Sequence, residues 1–118
     1  GNWDEAERLY RQCLEVETEL GARSGMATSI WFLGEVELGR GNLYAAEQLL
    51  TDALERFQQI AETYFMAQAS FRIAQVWQKC NNPELAQQHY NTAHQIFQQL
   101  GAAKDLERIE REWHNPDF

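Results

Sequence analysis

Gly41-Asn42-Leu43-Tyr44-Ala45-Ala46-Glu47 has two counterparts in the chain: Gly1-Asn2-Trp3-Asp4-Glu5-Ala6-Glu7 before it and Asn81-Asn82-Pro83-Glu84-Leu85-Ala86-Gln87 after it. The copies are forty residues apart, twice, with no insertion. A fixed period of that length marks a stacked repeat, in which one unit cannot bury its apolar face alone and covers it with its neighbours. In each copy an asparagine, Asn2, Asn42 or Asn82, stands just before an apolar series of helical spacing, where its side chain can accept from unpaired backbone N–H groups. These three residues are expected to be N-caps of equivalent helices. Glu5 has the spacing of a capping-box partner for Asn2, and Pro83 takes the first helical position, where a missing N–H is harmless.

Behind the caps run three matching stripes. Ala6, Leu9, Tyr10, Cys13, Leu14, Val16 and Leu20 recur as Ala46, Leu49, Leu50, Ala53, Leu54, Phe57 and Ile60, and then as Ala86, Tyr90, Ala93, Ile96, Phe97 and Leu100. Steps of three and four place each set on one side of a helix, which predicts helices over 3–20, 43–60 and 83–100. Gly21 and Gly101 follow as left-handed stops, with Ala61 in the middle copy. A second helix in each unit carries Ala27, Ile30, Leu33, Gly34 and Val36, repeated as Ala67, Ser70, Ile73, Ala74 and Val76. The small residues Gly34 and Ala74 predict close approach of a neighbouring helix. Gly39, Gly41 and Asn81 are expected to end these helices, and Gly1 is read as the equivalent stop before Asn2. A shorter helix over 103–114 has Leu106, Ile109 and Trp113 on one side and a charged remainder, as a capping helix needs. The fold class that follows is all-α: antiparallel helix pairs, about six helices in all.

Composition narrows the function. With 44% hydrophobic residues and 24% charged, the 118-residue chain has the make-up of a soluble domain, and its apolar runs are far too short to span a bilayer. The net charge of -8 divides as -4, -1 and -3 over residues 1–40, 41–80 and 81–118, so no basic stripe exists to hold nucleic acid. Neither a nucleic-acid nor a membrane partner is expected. Cys13 and Cys80 make neither a metal spacing nor a disulfide framework, which fits a reducing, cytoplasmic setting.

The two-helix unit resembles the tetratricopeptide repeat. The residues that carry the likeness are Ile30-x-x-Leu33-Gly34 with Gly41, Ala46, Leu50 and Ala53, and Ser70-x-x-Ile73-Ala74 with Asn81, Ala86, Tyr90 and Ala93. Ala6, Tyr10 and Cys13 match the second helix of a unit only. The unit is six residues longer than the common form, similar to the long repeats of bacterial multi-repeat arrays, spindle-orientation scaffolds of the Pins/LGN class and kinesin light chains. The resemblance implies a right-handed superhelix, an α-solenoid, in one domain over 1–118 with sequence repeats 1–40, 41–80 and 81–118. It also implies a non-catalytic protein-binding scaffold, a sensor or adaptor portion of a larger signalling protein. Since the first helix has no partner before it, the chain is expected to be a piece of a longer array, able to form a homo-oligomer through Trp3, Tyr10 and Val16.

Arrays of this family line a concave groove with the first helix of each unit. Carried onto this chain, the groove positions are Thr28, Trp31, Phe32, Glu35 and Leu38, then Gln68, Phe71, Arg72, Gln75, Gln78 and Lys79, with Arg108 and Arg111 in the cap helix. Trp31, Phe32, Leu38 and Phe71 fall off the intra-pair stripe, so their apolar area is expected to be available to a ligand; filling of space between long helices is the competing reading. The groove would be aromatic from Trp31 to Phe71 and basic from Arg72 to Arg111, suited to a peptide with an apolar anchor and an acidic segment. For the arginines the competing reading is a solvated helix face. Phe32, Glu35 and Gln75 stand where the carboxylate clamp of chaperone-binding relatives wants asparagines, so that variant is disfavoured. The other reading of the whole chain is a structural segment whose work is self-association.

No chemistry competes with binding. His89 and His94 are five residues apart and diverge around a helix, and His114 is in the tail, so no metal is expected. Cys13 aligns with Ala53 and Ala93 and is expected to be a packed small hydrophobe, with Cys80 partly exposed at a helix end. Asp52 with Glu55, and Glu107 with Glu110 and Arg111, lie on exposed helix faces without a pocket to shift their pKa values. No glycine-rich phosphate loop is present, and no cofactor is expected.

Overall fold

In the computed structural model, which describes residues 2–116, five of the six helices stop in the same way. The residues at 21, 41, 61, 81 and 101 have φ of 68°, 83°, 55°, 60° and 67°. Each donates its N–H to the carbonyl three residues back, and the next residue donates to the carbonyl five back: Gly21 to Thr18 and Ala22 to Glu17, through to Gly101 to Gln98 and Ala102 to Phe97. This is the left-handed Schellman stop, and it recurs every twenty residues. The forty-residue repeat is therefore two helices, each closed by one such turn. The stop read at Gly1, like Asp117 and Phe118 of the tail, lies outside the described residues.

Six helices result: α1 Trp3–Leu20, α2 Arg23–Arg40, α3 Leu43–Gln59, α4 Thr63–Lys79, α5 Pro83–Leu100 and α6 Ala103–His114. No strand occurs among the described residues. Ala61 and Asn81 hold a left-handed backbone without being glycine. For Ala61 that conformation costs about 1–2 kcal/mol, against about 0.5–1 kcal/mol of extra chain entropy for glycine. Ala61→Gly is expected to raise stability by up to about 1 kcal/mol in urea denaturation; a fall would mean that the turn is not strained.

Several expected details differ. Asn2 and Asn82 do cap, accepting from the N–H of Glu5 and of Leu85, each at 3.2 Å. Asn42 does not: its amide donates to Glu37 at 2.7 Å, because a carboxylate at the end of α2 is a stronger partner than a backbone N–H. Glu5 turns to Arg8 instead of returning to Asn2. Gly39 lies inside α2 and stops nothing; a β-carbon there would sit 2.5 Å from the Trp3 ring, so the glycine makes room for the indole.

Two compact units divide the chain after Glu62. In the first, α2 packs between α1 and α3. Ala27, Ile30, Leu33, Gly34 and Val36 are buried as their spacing predicts, and Gly34 admits Leu50, whose Cδ2 lies 2.8 Å from where a β-carbon would stand. In the second, α5 packs between α4 and α6 around Ala67, Phe71, Ala74, Tyr90, Ala93, Phe97 and Ile109, with Leu106 and Trp113 against that cluster. Helix α1 buries no residue completely. Cys13 is consequently exposed, not packed as Ala53 and Ala93 are, because nothing among the described residues covers its side of α1. Cys80 is exposed as well.

Candidate protein-binding faces

In the first unit the groove positions lie along α2. Thr28 turns its hydroxyl to the Ser24 carbonyl at 3.0 Å, and Trp31, Phe32, Glu35 and Leu38 are all half-buried. Phe32 stacks on Tyr10 of α1, centroids 4.9 Å apart and planes within 8°, and Trp31 tilts against Phe32 at 5.2 Å. One face of the Phe32 ring is therefore covered by Tyr10, and the side chain as a whole is half-buried. An aromatic off the main stripe of α2 faces α1, because α2 has a helix on either side.

Arg40 closes the same side of the unit. Its guanidinium reaches Glu7 and Glu37 at 2.8 Å and Asp4 at 2.5 Å. The hydrogen bond from Arg40, then that from Arg11, holds the Glu7 carboxyl below its ordinary pKa, and the Glu7 hydrogen bond in turn raises that of Arg40. This hub ties α1 to the end of α2.

In the second unit α4 and α6 share a polar row. Tyr64 donates to Asp105 at 3.0 Å and accepts from Gln68 at 3.2 Å; Gln68 then accepts from Arg108 at 2.6 Å. Burial first, and the Asp105 carboxylate second, push the Tyr64 hydroxyl above its ordinary pKa. Arg108 also meets Glu112 at 3.3 Å and Asp105 at 3.4 Å, with its guanidinium 5.8 Å from the Phe71 ring centroid. A cation this engaged positions α6 against α4, and the expectation of a ligand-ready Arg108 is corrected. Phe71 is 1% exposed within the core, so its area too is already used.

Further along, Tyr90 stacks on Trp113 at 4.6 Å and 10°. Gln78 donates to the Trp113 carbonyl at 3.4 Å, while its own buried carbonyl oxygen has no partner among the described residues. Arg72 donates to Gln75 at 2.6 Å, and Lys79 is half-buried at the end of α4. Arg111 is exposed and makes no ion pair among the described residues. His94 meets Glu110 at 2.9 Å, and no group of His, Cys, Asp or Glu among the described residues is placed to hold a metal.

A family model described as tetratricopeptide repeat matches residues 1–64. The chain belongs to the tetratricopeptide repeat family. No curated protein matches it. Tetratricopeptide repeats mediate protein–protein interactions, and no helix among the described residues is long and apolar enough to cross a membrane. Of the groove positions a tetratricopeptide array would use, Phe71 is buried, Arg111 is exposed and the others are half-buried. The contacts between Trp3 and Gly39, and among Glu17, Gly25 and Ser29, carried no motif of the family; the glycines opposite large side chains were their one visible signal.

Proposed function

We propose that this chain is a protein-binding adaptor whose two units each present a face of their own, α2 in the first, suited to an apolar anchor, and α4/α6 in the second, suited to an acidic stretch. The observation that supports this reading most is the half-buried Trp31, an indole resting on the Phe32 ring, which is itself stacked on Tyr10. Rigid, half-covered aromatics make good anchors because little side-chain entropy is left to lose. In the second unit the exposed Arg111 supplies the positive charge.

The test is selection of displayed peptides on the purified chain, followed by affinity measurement on variants. Trp31→Ala and Arg111→Glu are expected to weaken the selected acidic peptides by about tenfold or more, while Tyr44→Ala, at a 79% exposed ring on α3, leaves them unchanged. Phe71 is left out because its loss would damage the core. Equal affinity for all three variants would remove these faces from consideration.

A further inference from the structure

Between Leu85 and Ala103 the chain has no Asp, Glu, Lys or Arg, although its net charge is -8 and most of α5 runs through that stretch. The outward seam of α5 is Gln88, Thr92, Gln95 and Gln99, spaced by four, three and four residues, and all four are exposed. The repeat does not impose this neutrality. At the same positions α1 carries Arg8, Gln12, Glu15 and Glu19, and α3 carries Gln48, Asp52, Glu55 and Gln59. Nor does the exposure come from the ends of the chain, since Gln48, Glu55 and Gln59 are exposed on α3 in its middle. Helix α5 has carboxamides and a hydroxyl where the other two keep ionic groups. Depletion of charge is the compositional mark of a surface that a partner covers.

Charge, hydrogen bonding and spacing all select the same partner. Copies of a chain with net charge -8 repel one another, and a seam without charge is where two of them approach at the least Coulombic cost. A carboxamide donates through its NH2 and accepts through its oxygen, so a row of them complements an identical row. A cationic partner would find carboxylates on the seams of α1 and α3, and an apolar one finds no apolar side chain on this seam to cover. The spacing supplies the geometry, because four-three-four reads the same in both directions. A second α5 laid antiparallel, with a two-fold axis between Thr92 and Gln95, sets Gln88 opposite Gln99 and Thr92 opposite Gln95. The Thr92 hydroxyl already donates to the Gln88 carbonyl at 3.1 Å, which leaves its oxygen to accept from the Gln95 amide of the second copy. On the flank, Gln87 donates to Asn91 at 2.8 Å, and this bond leaves the seam to its own residues.

We propose that Gln88, Thr92, Gln95 and Gln99 form a self-docking face, on which two copies of this chain pair antiparallel through α5 by carboxamide hydrogen bonds. The pairing is independent of the binding faces on α2 and on α4/α6. The test is sedimentation of the whole chain at concentrations up to ~1 mM, the range of a weak polar contact. A reversible dimer is expected, and it strengthens as salt rises, because screening relieves the repulsion between two acidic copies. Gln88→Glu with Gln99→Glu, and Gln88→Lys with Gln99→Lys, set like charges opposite each other, and each pair of changes weakens self-association at least about tenfold. An equimolar mixture of the two variants restores it, because every glutamate then faces a lysine. Gln48→Glu with Gln59→Glu, at the same positions of α3, leaves the dimer as it was, and far-ultraviolet circular dichroism shows every variant as helical as the parent. A monomer throughout the range, a dimer that weakens with salt, equal loss from the α3 variant, no recovery on mixing, or a dimer that Val16→Asp on α1 dissolves would each overturn the proposal.

Discussion

Phe97→Ala is expected to destabilise the second unit by about 3–5 kcal/mol, the cost of a large buried aromatic lost together with the cavity it leaves. The ring is 0% exposed, lies 5.7 Å edge-on from Tyr64 and belongs to the cluster that joins α4, α5 and α6. Three helices meet there, and a void between three rigid rods closes poorly. The urea midpoint should fall with little change in slope, and the melting temperature should drop by roughly 10–20 °C. Leu100→Ala, three residues on and 46% exposed, is the control and should stay within about 0.5 kcal/mol. A loss under about 1 kcal/mol for Phe97→Ala would mean that this cluster does not hold the unit together.

The stripes on α2 and α4 were legible because the spacing of Ala27, Ile30, Leu33 and Val36, and of Ala67, Ile73, Ala74 and Val76, matches the helical period and all eight side chains are buried. The stops at 21, 41, 61, 81 and 101 were legible too, Ala61 by its spacing and not by its residue type. What periodicity could not reveal is how many neighbours a helix has. Phe32 and Phe71 fall off the main stripe, yet one is stacked on Tyr10 and the other buried, since α2 and α4 meet helices or side chains on more than one face. Cys13 fails in the opposite direction, sitting on a good stripe that no described residue covers. Arg108 was readable in principle: Asp105 and Glu112 stand three before and four after it, the separations at which helical charges meet, although the bond to Gln68 of α4 needed the fold. At the candidate faces, residue types marked where contacts occur, while their availability to a ligand depended on packing partners far away in sequence.

Gly34→Val tests the closest helix approach in the first unit. A β-carbon at position 34 would lie 2.8 Å from both Cγ and Cδ2 of Leu50 and 3.4 Å from Cβ of Leu49. Leu50 is 0% exposed, so its side chain has no solvent to swing into, and the two helices must separate. Overpacking of this kind costs about 1–3 kcal/mol or more, and the better helix propensity of valine over glycine returns only a few tenths. The net expectation is a loss of roughly 2–3 kcal/mol, read as a lower urea midpoint. Leu50→Ala alone is expected to cost about 2–5 kcal/mol, as a cavity. In the double variant the new methyls occupy the space that leucine vacates, so the two losses should fall short of their sum by at least about 1 kcal/mol. Additive losses would show that Gly34 is not held small by Leu50. Ala74, the counterpart of Gly34 forty residues on, already carries a β-carbon while fully buried, so the demand for glycine belongs to the α2–α3 contact and not to the repeat.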